Sequence, residues 1–259
     1  IWFGCHTGLT MYDGNQYRNF GKKEGLSGGA IQQIFEDSKG LIWIIEGSLY
    51  HGGGGIKTIN SNYEIENFLK KYNLDDFGFN AINEDNNGNI LLGSHRGLFI
   101  YNGTSIEHVK YGDGIGSGYI TDIFIDNNTF WLGTTDGLVH FNGTNFINYG
   151  IKDGLGMSTY IKKIFRSKKG NILLSTGHSR EFGNSGGKYT NSLYYYDGLS
   201  FNIVEEANHT FNIGDIIFDS DAMIYGSNNK MIISKKGLQQ SFSPFFSENK
   251  SLGWYVTSI

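Results

Sequence analysis

A chain of 259 residues can hold one large all-β domain or two ordinary ones. Its 38 Gly against a single Pro fit many tight turns that need positive φ, and exclude a Pro-rich linker. A net charge of -4 with no basic stripe argues against nucleic acid, and the one cysteine, Cys5, excludes an internal disulfide framework and any multi-cysteine zinc site.

The chain opens without Met, in mid-motif at Ile1-Trp2, with no signal peptide and no transmembrane run, so it reads as a fragment of a longer chain. The first segment, IWFGCHTGLTMYDGNQYRNFG from Ile1, returns as ILLGSHRGLFIYNGTSIEHVKYG from Ile90 and as FWLGTTDGLVHFNGTNFINYG from Phe130. Gly97 and Gly137 of the Gly-Leu pairs stand 40 residues apart, the spacing of a repeat array. Six repeats are read, near 1–40, 41–88, 89–129, 130–170, 171–222 and 223–259, with insertions in the second and fifth and a degenerate sixth.

Each repeat predicts four short strands. An Ile-x-x-Ile strand comes first, as in AIQQIFED from Ala30, YITDIFID from Tyr119 and YIKKIFRS from Tyr160. A turn such as Asp37-Ser38-Lys39-Gly40 follows, then a second strand with an aromatic or aliphatic pair and Gly, as in Trp131-Leu132-Gly133. A variable loop ends in Gly-Leu and leads to the third strand. The hairpin after it is Asp-Gly or Asn-Gly (Asp13-Gly14, Asn102-Gly103, Asn142-Gly143, Asp197-Gly198), the dipeptide of a type I′ turn. Helical periodicity is absent, and 15% aromatics suit pleated strands.

A four-stranded sheet apolar on both faces must bury them against neighbours, which predicts an all-β β-propeller of four-stranded antiparallel blades as a single domain over 1–259. The opening strand IWFG and the last strand, from Trp254, are expected to share one blade and close six; part of a seven-bladed or longer array is the alternative.

Trp2-Phe3-Gly4, Gly8-Leu9, Tyr12-Asp13-Gly14 and Gly25-Leu26 give a pattern that recurs as Leu92-Gly93, Gly97-Leu98, Tyr101-Asn102-Gly103 and Asp113-Gly114. It recurs again as Trp131-Leu132-Gly133, Gly137-Leu138, Phe141-Asn142-Gly143 and Asp153-Gly154-Leu155. This resembles the two-component regulator propeller repeat. The resemblance implies an extracytoplasmic (periplasmic or cell-surface) sensor of a bacterial histidine kinase or hybrid regulator, often responsive to glycans, within a larger membrane-anchored or secreted protein. It also implies a homodimer formed through the full-length receptor.

The second-to-third-strand loops and the connectors between repeats share one face of such a fold, and variable loops on a fixed scaffold are where binding sits. Candidate ligand-binding groups there are His6, His95, Arg96 and Asp136 in the loops, and His178 and Arg180 in the long insertion. Tyr119, Tyr160 and Tyr255 stand at the entries to first strands, with Trp254 beside the last. Aromatic faces with polar groups around a depression suit a small-molecule or oligosaccharide ligand. The bland alternative has the tyrosines filling space between blades and His6 and His95 capping their own turns.

No catalytic set, metal site or cofactor is assigned, and neither nucleic acid nor direct membrane contact is expected. Convergence of His6, His51, His95 and His178 on a metal lacks a supporting ligand spacing. An acid–base enzyme acting on polysaccharide, a lyase or hydrolase, would have to draw on His178, Arg180, Glu181 and Asp136. A protein-interaction scaffold is the third reading. The mid-strand polar pairs Gln32-Gln33, Thr121-Asp122, Lys162-Lys163 and Thr257-Ser258 are read as the lining of a wet central channel.

Overall fold

The computed structural model describes residues 1–47, 54–155, 159–167, 170–177, 191–207, 216–219, 222–227, 230–235 and 238–242. Strands β1 (Trp2–Cys5), β2 (Gly8–Tyr12) and β3 (Tyr17–Phe20) form a three-stranded sheet. The second sheet holds β4 (Ala30–Glu36), β5 (Ile42–Gly47), β6 (Gly54–Ile59) and β7 (Ile65–Asn67), and is followed by a short helix, α1 (Phe68–Lys71). The third holds β8 (Phe79–Glu84), β9 (Ile90–Ser94), β10 (Gly97–Tyr101) and β11 (Ile106–Lys110). The fourth holds β12 (Ile120–Asp126), β13 (Thr129–Thr134), β14 (Gly137–Phe141) and β15 (Phe146–Tyr149). The fifth holds β16 (Ile161–Arg166), β17 (Ile172–Thr176), β18 (Asn191–Tyr196) and β19 (Phe201–Ala207). The sixth holds β20 (Ile216–Asp219), β21 (Ala222–Ser227), β22 (Lys230–Lys235) and β23 (Leu238–Phe242). Within each sheet the strands lie in sequence order. The predicted closing strand from Trp254 lies outside the described residues.

Two compact units divide the chain. Ile1–Leu132 with Val139–Ile147 make the first, and Gly133–Leu138 with Asn148–Ile259 the second. In the first unit the apolar cores lie between successive sheets. Ile90, Leu92 and Phe99 of the third sheet pack with Trp43, Ile45 and Ile56 of the second. Leu91 and Leu98, alternating with them, pack with Ile120, Leu132 and Val139 of the fourth. Leu9, Met11 and Phe20 of the first sheet meet Ile42, Ile44 and Ile59 of the second. A sheet buried on both faces reads as a continuous apolar run, as β9 does.

The repeated glycines have steric causes. A Cβ on Gly8, Gly97 or Gly137, the first residue of each Gly-Leu pair, would fall 2.5, 2.3 or 2.4 Å from the carbonyl oxygen of Phe20, Val109 or Tyr149. A Cβ on Gly93 would fall 2.4 Å from the Ile120 side chain, and one on Gly4 2.7 Å from Ile31, so these glycines let the next sheet's first strand approach.

The Asp-Gly and Asn-Gly hairpins form where expected but are not type I′ turns. Tyr12 pairs with Tyr17 and Tyr101 with Ile106, leaving four-residue loops. Only the glycine takes positive φ (Gly14 107°, Gly103 96°), because the residue before it uses its side chain instead. Asp13 Oδ1 accepts from the backbone N–H of Asn15 and Gln16, and Asn102 Oδ1 from those of Thr104 and Ser105. The preceding tyrosine covers the turn: the Tyr12, Tyr101 and Tyr196 hydroxyls donate to the Gly14, Gly103 and Gly198 carbonyls at 2.6, 2.7 and 3.0 Å. In the Asp-Gly-Leu motif the Asp153 carboxylate accepts from Gly150 N–H (2.8 Å), Gly154 turns left-handed and Leu155 is buried.

The channel-lining reading of Gln33 is corrected. Its side chain donates to the Ile82 carbonyl (3.2 Å) and accepts from the Ile82 N–H (3.1 Å), joining β4 to β8 as a strand partner would. Asn83 Nδ2 likewise donates to the Ile123 carbonyl at 2.9 Å, linking β8 to β12. Sequence reasoning also missed α1, whose Asn67 side chain caps it by accepting from Lys70 N–H, and which buries Phe68 and Leu69.

Candidate functional site

The second-to-third-strand loops share one construction. At the end of β9 the Ser94 hydroxyl donates to the Gly97 carbonyl (2.9 Å) and accepts from Arg96 N–H (3.0 Å). Thr134 does the same with the Gly137 carbonyl and Asp136 N–H, and Cys5 Sγ donates to the Gly8 carbonyl. Closure is therefore local, and the two following residues carry the variation: His6-Thr7, His95-Arg96 and Thr135-Asp136. The residue before each histidine, Cys5 or Ser94, supplies a side chain that closes its turn.

In the first unit the loop tip of the third sheet is built into a cluster. His95 N–H donates to the carbonyls of Phe77 (3.1 Å) and Gly78 (3.2 Å) in the connector after α1. Gly78 has φ 65°, and a Cβ there would meet the His95 ring at 2.9 Å. The imidazole stacks on the Tyr119 ring with centroids 4.0 Å apart and 11° between planes. Tyr119 remains 40% exposed and Arg96 is exposed beside this pair, so a flat face and a cation are open to solvent together. Tyr111, not singled out from the sequence, donates its hydroxyl to the Ser94 carbonyl at 3.1 Å. Burial pushes its phenol up to about 12, with the Arg96 charge pulling the other way. The Tyr-Gly that it shares with Tyr149-Gly150, 38 residues on, was the signal that could have marked it.

In the second unit Asp136 is exposed at its loop tip and Tyr160 is half-buried, its carbonyl accepting from Gly177 N–H at 2.9 Å. Lys162, two residues on, crosses the face of Gly177, where any Cβ would overlap its side chain, and burial drags its ammonium down to about 8. His6 is exposed and makes no hydrogen bond or ring contact with His95 or Tyr119 among the described residues. His178, Arg180, Trp254 and Tyr255 lie outside the described residues, as do His51 and Glu181 of the metal and enzyme readings. Among the described residues no three His, Cys, Asp or Glu side chains gather as a metal site.

In sequence the chain matches no protein-family profile and no curated protein. In structure it is similar to the extracellular domain of a hybrid two-component system from B. thetaiotaomicron, with a TM-score of 0.68 at 21% identity over 91% of this chain. It is also similar to a streptogramin B lyase, with a TM-score of 0.66 at 12% identity over 93% of this chain and 78% of the lyase. The fold is a β-propeller. A second two-component extracellular domain from B. thetaiotaomicron matches this propeller with a TM-score of 0.54 at 16% identity over 93% of its length. The propeller spans only 32% and 39% of those two sensor chains. Sensor domains are thus among its neighbours, as the repeat's resemblance led one to expect. Among the described residues no helix is long and apolar enough to cross a membrane.

Proposed function

We propose that this propeller is a non-catalytic, extracytoplasmic ligand-binding part of a bacterial two-component receptor, and that its ligand is a carbohydrate. The observation that carries the reading is the His95–Tyr119 stack with exposed Arg96 at its side. A sugar ring needs a flat apolar face to lie on and a charged or polar donor at its edge, and this cluster offers both. The two-component neighbours support the sensor assignment.

Calorimetric titration with a panel of oligosaccharides tests it. A ligand is expected whose affinity falls at least tenfold in Tyr119→Ala and in Arg96→Ala, while His6→Ala leaves it unchanged. Unaltered affinity in both variants would remove the cluster from the site. The lyase neighbour supports an enzyme as the second reading. It predicts that a bound saccharide is consumed over hours of incubation, whereas a sensor returns it intact.

A further inference from the structure

Consecutive residues at the loop tip of the third sheet are held from outside the loop. The Tyr111 hydroxyl donates to the Ser94 carbonyl at 3.1 Å, and His95 N–H donates to the carbonyls of Phe77 and Gly78 at 3.1 and 3.2 Å. The Arg96 carbonyl lies 2.9 Å from His108 Nε2; a carbonyl only accepts, so the imidazole donates. Arg96 N–H is taken by the Ser94 hydroxyl at 3.0 Å, so both backbone groups of Arg96 are occupied. The tip is therefore ordered before any ligand arrives, which lowers the entropy that binding would cost.

The Arg96 side chain is not held in this way. Among the described residues its guanidinium makes no ion pair, hydrogen bond or ring contact. Other cations of this unit are spent: Arg18 lies over the Tyr63 and Phe20 rings at 4.4 and 5.2 Å, and Lys71 pairs with Glu66 at 2.8 Å. The carboxylates on the supporting connectors are engaged elsewhere. Asp76 accepts from Gly78 N–H and Asp113 from Lys110 N–H, both at 3.1 Å, and neither pairs with Arg96. The Arg96 charge and the Tyr119 phenol both act on the Tyr111 hydroxyl, so cation and ring share a neighbour at the base of the tip.

This arrangement has a definite preference among saccharides. A guanidinium is a planar fork of N–H donors with no acceptor. A neutral sugar can meet it only with hydroxyl oxygens, whereas a carboxylate or a sulfate takes two parallel, charge-assisted hydrogen bonds. The Tyr119 ring, stacked on His95 and 40% exposed, supplies the flat surface beside it.

We infer that the face selects anionic saccharides: a sugar ring lies on Tyr119, and a carboxylate or sulfate at its edge is bound by Arg96. The inference rests on the carbohydrate reading of the same cluster and adds the charge of the ligand to it.

Calorimetric titration of the 259-residue chain with two matched pairs tests it: oligogalacturonate against its methyl ester, and a sulfated galactan oligosaccharide against its desulfated form. Each pair differs in charge and not in its sugar units. In at least one pair the anionic member is expected to bind about tenfold more tightly, and the pair that shows it tells carboxylate from sulfate. Arg96→Gln should bring that ratio close to one, whereas Tyr119→Ala should weaken both members and keep the ratio. Raising the salt from about 0.05 to 0.5 M should weaken the anionic member alone. Neutral members that bind as tightly as their anionic counterparts, a preference that survives Arg96→Gln, or binding by neither anionic oligosaccharide would overturn the inference. The comparison within each pair needs no variant, so it decides the matter even if Arg96→Gln does not fold. Neutral binding without preference removes the anionic selectivity and leaves the carbohydrate reading standing; a full oligosaccharide panel that never binds removes both.

Discussion

Gly97 and Gly14 both take positive φ, 113° and 107°, yet they hold it for different reasons. A methyl on Gly14 meets nothing within 4 Å, so Gly14→Ala pays only for the left-handed backbone, about 1 kcal/mol. A methyl on Gly97 lands 2.3 Å from the Val109 carbonyl oxygen, so β10 and β11 must part. Urea denaturation should find Gly97→Ala the costlier of the two by at least about 2 kcal/mol. Lys162 gives a second prediction at this scale. Its folded value of about 8 lies below the ordinary 10.5, so between those values the unfolded chain binds more protons and stability must rise with pH. The gain from pH 8 to 10.5, at most about 3 kcal/mol, should be present in the native protein and absent in Lys162→Met. A flat difference between the two across that interval would show that the ammonium is solvated.

Neighbouring first strands are joined by side chains that stand in for a missing strand. Gln33 reproduces both bonds of a ladder pair with Ile82, and Asn83 supplies one to Ile123. Gln33→Leu strands the Ile82 N–H and C=O at the packed contact of β4 with β8, and should cost about 2–3 kcal/mol by denaturant titration. Gln33→Asn, one methylene short, should recover little of that. Such linkages were not legible in the sequence, because a glutamine in a strand looks the same whether it reaches water or a neighbour's backbone. The hairpins were legible in position and misread in type: Asn-Gly names a turn, but Asn102 spends its side chain on two N–H groups and so keeps ordinary φ. Four residues of α1 are too few to display a helical period, and only the Asn67 cap betrays them.

The architecture was the most readable level, since one spacing near 40 residues dictates sheets that bury both faces against their neighbours. The candidate cluster was readable only in part. His95, Arg96 and Tyr119 stood out as variable polar and aromatic positions, whereas their stacking and the support from Phe77, Gly78 and Tyr111 depend on contacts between repeats. Because the cores of the first unit lie between successive sheets, destabilisation there should add by neighbourhood. Ile82→Val and Ile56→Val fall in one core, and Ile123→Val in the next. Each should cost about 0.5–1.5 kcal/mol. The pair from different cores should be additive within about 0.5 kcal/mol, and the pair sharing a core should deviate by more in thermal or urea unfolding.

In the loops that Ser94 and Thr134 close, one hydroxyl bridges two backbone groups and asks nothing of the side chains that follow it. The same closure carries His95-Arg96 in one repeat and Thr135-Asp136 in another, so a cation and an anion stand on identical frames. Those positions can be rewritten, by drift or by design, on a timescale unrelated to that of the closure beneath them.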